Sequence, residues 1–284
     1  MTAPELRWGA KTYVMGIINV TPDSFSGDGL ASPDRDAREV VAAAVAQGRA
    51  MAAAGAEILD VGAESTRPRQ AYGEHPEVDA ASEAALALPV VEALAAELGD
   101  RVRISIDTSK GSVAAAALTV GATIVNDVWA ARRDPGTADA ASAAGAYLVL
   151  MHNREATDDA EDVFGTVVEW LTEAIEAAQA RGVPRERLLV DPGIGFGKGT
   201  EANLELLHRL GELKGRLGGL PLLVGTSRKR FLGEMLGGAP PMDRVAGTAA
   251  TVALAIAAGA DVVRVHDVAE MARTRRVADA IIRR

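Results

Sequence analysis

Short unbroken apolar runs recur along the chain. Each gives way to a longer stretch in which apolar residues return every three or four positions. The runs predict strands at Met15–Ile18 (closing at Asn19), Ile58–Gly62, Val102–Asp107, Ala122–Asn126, Ala146–Met151, Leu188–Asp191, Pro221–Gly225 and Asp261–Val265. Strands that lack polar alternation are covered on both faces, as in parallel sheets. The longer stretches predict helices over Asp36–Gly55, Ala80–Leu98, Ser112–Val120, Ala138–Ala144 and Phe164–Ala180. A single leucine-rich helix follows through Leu204, Leu207, Leu210, Leu213 and Leu217, then helical material from Phe231, Arg244–Ala258 and Ala269–Ile282. Pro89 predicts a kink or break in the second helix.

Eight strands, each with a helix after it and no linker or change of composition, predict one domain over residues 1–284: an α/β fold, a single (β/α)8 TIM barrel. A doubly wound open sheet is the alternative, though it would more often interrupt the count. With 48% hydrophobic and 24% charged residues the chain reads as an ordinary globular protein. The formal charge of −9 argues against nucleic acid or an anionic membrane as partner, so any phosphate must be held by a local basic cluster. The chain has no cysteine, which excludes disulfides and thiol chemistry and suits a reducing cytoplasm. The first residues lack signal-peptide blocks, and the Ala246–Ala258 run is shorter than the ~20 residues of a membrane span.

Catalytic groups of such a barrel stand where strands end. Here those positions hold Asn19, Asp60, Asp107, Asn126-Asp127, His152, Asp191, Ser227, Arg264 and His266. Singly, each has a plain structural explanation: Asp107 could cap the next helix, Asp191 could make a turn, and Asn126 could bond loop backbone. Together on one rim they imply a ligand, because burying so many polar groups without one is costly. Arg264 and His266 lie two apart and share a strand face, and Ser227-Arg228-Lys229-Arg230 sets cations beside a hydroxyl, so both suggest an anion site. Arg230 reads better as a solvated charge. Gly193–Lys198 looks like a phosphate loop without matching the full pattern, while His75 and His208 read as solvated. No metalloprotease helix or Ser/His/Asp order is visible.

Seven motifs, in order, give the chain a resemblance to the dihydropteroate synthase family from about Tyr13 to the C-terminus. They are Met15–Ser26, Asp60–Pro68, Ile106–Thr108, Asn126–Val128, Asp191–Lys198, Gly225–Lys229 and Arg264–Asp267. The resemblance implies a transferase of folate synthesis and sulfonamide target. It would join 6-hydroxymethyl-7,8-dihydropterin diphosphate to 4-aminobenzoate with Mg²⁺ bound, as a cytoplasmic homodimer. It implies Asp107, Asn126, Asp191 and Lys229 as pterin partners, with Asp107, Lys229 and Asp191 also catalytic. It implies Arg264 and His266 on the diphosphate, Asn19 on the metal, and Phe25, Thr66, Arg67, Pro68, Phe196 and Ser227 around the arylamine. Two departures stand out: Gly27-Asp28 shifts the first-loop acid by one position, and Arg69 stands where the family usually has glycine. The rivals are a pterin-binding methyltransferase barrel, which would have no use for the anion-binding pairs, and an inactive binding barrel, which would show broken motifs.

Overall fold

The computed structural model describes residues 5–21, 30, 36–64, 78–155 and 162–283. Its elements alternate as the apolar pattern predicts. They begin with β1 (Tyr13–Asn19), α1 (Ala37–Ala54), β2 (Ile58–Gly62), α2 (Ala80–Leu98), β3 (Arg103–Asp107) and α3 (Gly111–Thr119). Next come β4 (Ile124–Asp127), α4 (Gly136–Ala144), β5 (Tyr147–Met151), α5 (Val163–Ala180) and β6 (Leu188–Asp191). The chain continues through α6 (Thr200–His208), α7 (Leu210–Arg216), β7 (Leu223–Val224), α8 (Arg230–Met235), α9 (Val245–Ala257), β8 (Val262–Val265) and α10 (Val268–Ile282). No helix among the described residues is long and apolar enough to cross a membrane.

All strand pairs are parallel, in the order β6-β5-β4-β3-β2-β1-β8-β7. A single bridge, Val190 to Leu222, joins β6 to β7 and closes the ring. Two apolar layers result. The larger lies between strands and helices, and the smaller fills the barrel's lower interior with Tyr13, Met15, Ile58, Ile124, Tyr147, Val149, Leu189, Leu223 and Val262. Because strand side chains alternate, the next inward positions up those strands are Asp60, Asn126, Asp191 and Arg264. The interior therefore changes from apolar to polar toward the strands' C-terminal ends. At the base, Trp8 meets Tyr13 and Tyr147 edge-on at 5.7 and 5.9 Å, and Arg187 and Arg103 lie 4.6 and 5.2 Å from the Tyr147 ring.

Two helices differ from the sequence reading. α2 runs unbroken through Pro89, which sits on its exposed face, where the missing N–H costs least because water can serve the freed carbonyl. The leucine-rich helix is instead two, because Arg209 leaves the helical region (φ −103°, ψ 17°) and separates α6 from α7. α3 and α4 begin in backbone contact: a Cβ on Gly111 would stand 2.6 Å from the Gly136 backbone. Gly111→Ala is therefore expected to cost about 1–3 kcal/mol, read as an earlier midpoint in urea with an unchanged slope.

Candidate active site

Arg264 is the centre of the polar half of the barrel. Its Nε donates to Asp60 Oδ2 at 2.6 Å and its Nη2 to Asp107 Oδ2 at 2.7 Å. Asp60 Oδ2 also accepts from Asn126 Nδ2 at 2.9 Å. Four strands, β2, β3, β4 and β8, thus meet through one guanidinium. The outer oxygens Asp60 Oδ1 and Asp107 Oδ1 are buried with no hydrogen-bond partner. Burial pushes the Asp107 carboxyl up to about 8, with Asp60, Glu83 and Asp127 adding to the rise and Arg264 opposing it. Two acids therefore share one cation. Asp107 does not cap the following helix; the first amide of α3, Gly111 N, bonds Asp134 Oδ2 at 2.6 Å instead.

Asp191, at the end of β6, is 5% exposed, and its Oδ1 accepts from Gly193 N at 2.7 Å. Its other oxygen makes no hydrogen bond to the described residues. Burial raises its pKa, while Lys229, the Gly193 amide, Lys198 and Arg264 pull it down. The Asp191 side chain thus makes the turn and also faces the pocket cations. Lys229 Nζ donates to Ile194 O and lies 4.3 Å from the Phe196 ring centre, so the loop after β6 and the residues after β7 form one wall.

Beyond β8, His266 Nδ1 lies 3.0 Å from Ser227 Oγ, which also accepts from the His266 amide at 3.1 Å. Arg228 is committed elsewhere: it pairs with Asp267 at 2.5 Å, and its backbone sits at φ +58°. Arg230 pairs with Glu234 on an exposed face, and His208 is exposed, as expected. Asn19 ends β1 beside Gly62 of β2, and its backbone carbonyl accepts from Leu30 N at 3.0 Å. No cluster of three or more His, Cys, Asp or Glu that could hold a metal occurs among the described residues. Phe25, Thr66, Arg67 and Pro68, with Asp28, Arg69 and His75, lie outside the described residues.

The structure gives several residues partners that the sequence does not reveal. Asp60, fully buried, is the hub that orients Arg264 and Asn126. Asp127 points away from its neighbour Asn126, as strand alternation requires. It accepts from Trp129 N, Ala131 N and Thr137 Oγ1 at 2.7–2.9 Å, holding Ala130 and Ala131 at φ 52° and 60°. Lys110 bonds Glu64 and the fully buried Glu83, both at 2.6 Å, while Glu64 Oε1 accepts from Val78 N at 3.3 Å. These bonds fix both ends of the second βα connection. Lys198 is buried against His152, a partner that its glycine-rich surroundings do not reveal.

Comparison with known proteins agrees with this geometry. The profile of the family described as pterin binding enzyme matches residues 15–266. A dihydropteroate synthase of Synechocystis is 42% identical over 97% of this chain and 92% of its own length. The structure of a dihydropteroate synthase from Clostridium difficile, in the presence of pteroic acid, has a TM-score of 0.88 at 41% identity, covering 99% of this chain and 100% of that one. A Xanthomonas albilineans dihydropteroate synthase with 4-aminobenzoic acid has a TM-score of 0.85 at 41% identity, covering 96% and 94%.

Proposed function

The chain belongs to the pterin binding enzyme family and carries out the dihydropteroate synthase reaction of folate biosynthesis, and we propose that the polar upper half of its barrel is where that reaction runs. The reaction joins 6-hydroxymethyl-7,8-dihydropterin diphosphate to 4-aminobenzoate. The arylamine nitrogen bonds the pterin methylene, the C–O bond breaks toward diphosphate, and the nitrogen loses a proton. The observation that carries the assignment of the site is the pair of buried, unpartnered acceptors, Asp60 Oδ1 and Asp107 Oδ1. Orphaned acceptors at the floor of a pocket call for a ligand rich in N–H donors, and the edge of a pterin ring is one.

In this reading Asp107, Asn126 and Asp191 hold the ring edge, and Lys229 closes the pocket over it. The methylene becomes positive as diphosphate departs, and Asp107 and Asp191 stabilise that charge. An arylamine is neutral and nucleophilic at pH 7, so no strong base is needed. The remaining N–H groups of Arg264 and the Nε2 side of His266 take the diphosphate, with Ser227 orienting the imidazole. Asn19 would supply a protein ligand to Mg²⁺, which neutralises the leaving group when bound. Phe196 stands at the border of the arylamine site, which the expected residues Phe25, Thr66, Arg67 and Pro68 complete. The test is diphosphate release by the purified chain given both substrates, with none when either is omitted.

A proton should leave when pterin binds. Empty, Asp107 keeps its proton up to about pH 8; ring donors favour the carboxylate and lower that value. Affinity is therefore expected to rise with pH up to about 8 and then level off. Calorimetry at pH 7 in buffers of different ionisation enthalpy measures the release, and buffer-independent heats would contradict it. The stability sign follows from the same shift. The folded chain binds this proton more tightly than the unfolded one, so its contribution is full at acid pH and is lost as pH rises from 3.8 through about 8.

The reading extends to a cytoplasmic homodimer. The exposed large apolar side chains among the described residues, Met235, Met242, Leu254, Val277 and Ile281 among them, all lie between residues 235 and 282. Exposed apolar side chains gathered in this part of the chain suit contact with a second copy. Sedimentation at micromolar concentration is expected to give twice the chain mass.

A further inference from the structure

The Gly193–Lys198 stretch has the look of a phosphate loop, but its lysine is occupied by the protein itself. Lys198 is 7% exposed. Its Nζ donates to Gly193 O at 2.9 Å and Phe196 O at 3.0 Å, and lies 2.8 Å from His152 Nδ1. Burial, with Arg154 adding to it, pulls the pKa of this lysine well down. As a neutral amine its two N–H groups serve the two carbonyls and its lone pair faces the His152 ring nitrogen, so no donor remains for a phosphate. His152 is a firm anchor: it is fully buried at the end of β5, with its ring 5.0 Å from that of Trp170.

The loop is wound tightly around this amine. Gly193 sits at φ +67°, and a Cβ there would stand 1.8 Å from His152 O. From the other side Asn203 accepts from Gly195 N at 2.6 Å and donates to Lys198 O and Gly199 O at 3.1 and 2.8 Å. A Cβ on Gly195 would meet the Lys229 stem at 2.6 Å, and Lys229 reaches Ile194 O and the Phe196 ring. The buried amine thus sets the shape of a loop against which a pocket residue lies.

We propose that Lys198 is a positioning residue for the reaction: it staples the β6–α6 loop to β5 so that Phe196 and Lys229 meet at the border between pterin and arylamine. This rests on the site reading above. Of the main pterin partners, Asp107 and Asn126 stand on strands and do not need the staple, and Asp191, at the end of β6, shares with the loop only its bond to Gly193 N. The arylamine border stands on the loop and does need it. A shift of the loop would therefore displace the nucleophile while leaving the pterin in place.

Lys198→Met and Lys198→Gln in the full chain provide the test. Lys198→Met is expected to lower kcat/KM for 4-aminobenzoate about a hundredfold while pterin diphosphate affinity stays within about threefold, since a displacement of about an ångström has that order of effect on rate. Lys198→Gln, whose amide can still donate to one of the two carbonyls, should fall between native and Lys198→Met, and it carries the test if Lys198→Met does not fold. Native-like kcat/KM in a folded variant, with only a lower melting temperature, would overturn the proposal. An equal loss of pterin diphosphate affinity would also overturn it, since Lys198 would then be holding the pterin wall. Absence of diphosphate release by the unaltered chain would instead sink the functional reading on which the proposal rests.

Discussion

Asp191→Ala is expected to remove dihydropterin binding altogether. Asp191 ends β6 nearly fully buried, with one oxygen taken by Gly193 N, and the proposed pterin contact falls to the other. Each ring N–H bonded to a carboxylate contributes ~1.5–3 kcal/mol, so two such bonds lost weaken binding roughly a hundredfold to over ten-thousandfold. Asp191→Asn separates the contributions. Its amide oxygen can still accept from Gly193 N and keep the turn, so its melting temperature should stay near native while pterin affinity falls. Calorimetric titration with the unphosphorylated pterin measures this directly, and native affinity in the alanine variant would move the pocket elsewhere.

The second large effect is expected at Arg264. Its removal takes the shared cation away from the buried Asp60 and Asp107. Breaking a buried ion pair from one side costs about 3–5 kcal/mol, because a charge is left without compensation. Arg264→Ala should therefore lower stability by that order and weaken pterin binding with or without the diphosphate. Adding Asp60→Asn should restore part of the stability by removing the carboxylate left without its partner, although activity stays lost. If pterin diphosphate loses about tenfold more affinity than bare pterin, the guanidinium's remaining donors serve the phosphates. Equal losses would confine Arg264 to the carboxylates and leave the anion to His266 and Ser227.

The strands were legible because each is an unbroken apolar run, and eight runs with eight helical stretches leave few architectures open. The break at Arg209 was not legible, since the leucine spacing continues across it without a change of phase. The strand-end polar residues gather at one end of the barrel, as their positions in the sequence imply, but the sequence does not show which partner each one takes. Asn126 and Asp127 look like a pair in sequence, yet alternation sends one into the barrel and the other to clamp a turn. The carboxylate partners of Arg264 lie 204 and 157 residues earlier, a distance over which no local pattern operates. Lys198 was readable as a member of a glycine-rich loop, whereas its anchor His152 belongs to a different strand.

Arg264 also sets a condition on how the chain reaches its folded form. During synthesis β2 and β3 emerge long before β8, and the acids they carry must stay in water until their counter-charge arrives. A nascent chain lacking its last strand cannot dry the upper barrel, since Asp60 and Asp107 would be interred without a cation. The lower, apolar half carries no such charge constraint, although it too is completed only when Leu223 and Val262 arrive. A chain truncated before residue 264 is therefore expected to lack a competent pocket, because Asp60 and Asp107 lose their shared partner.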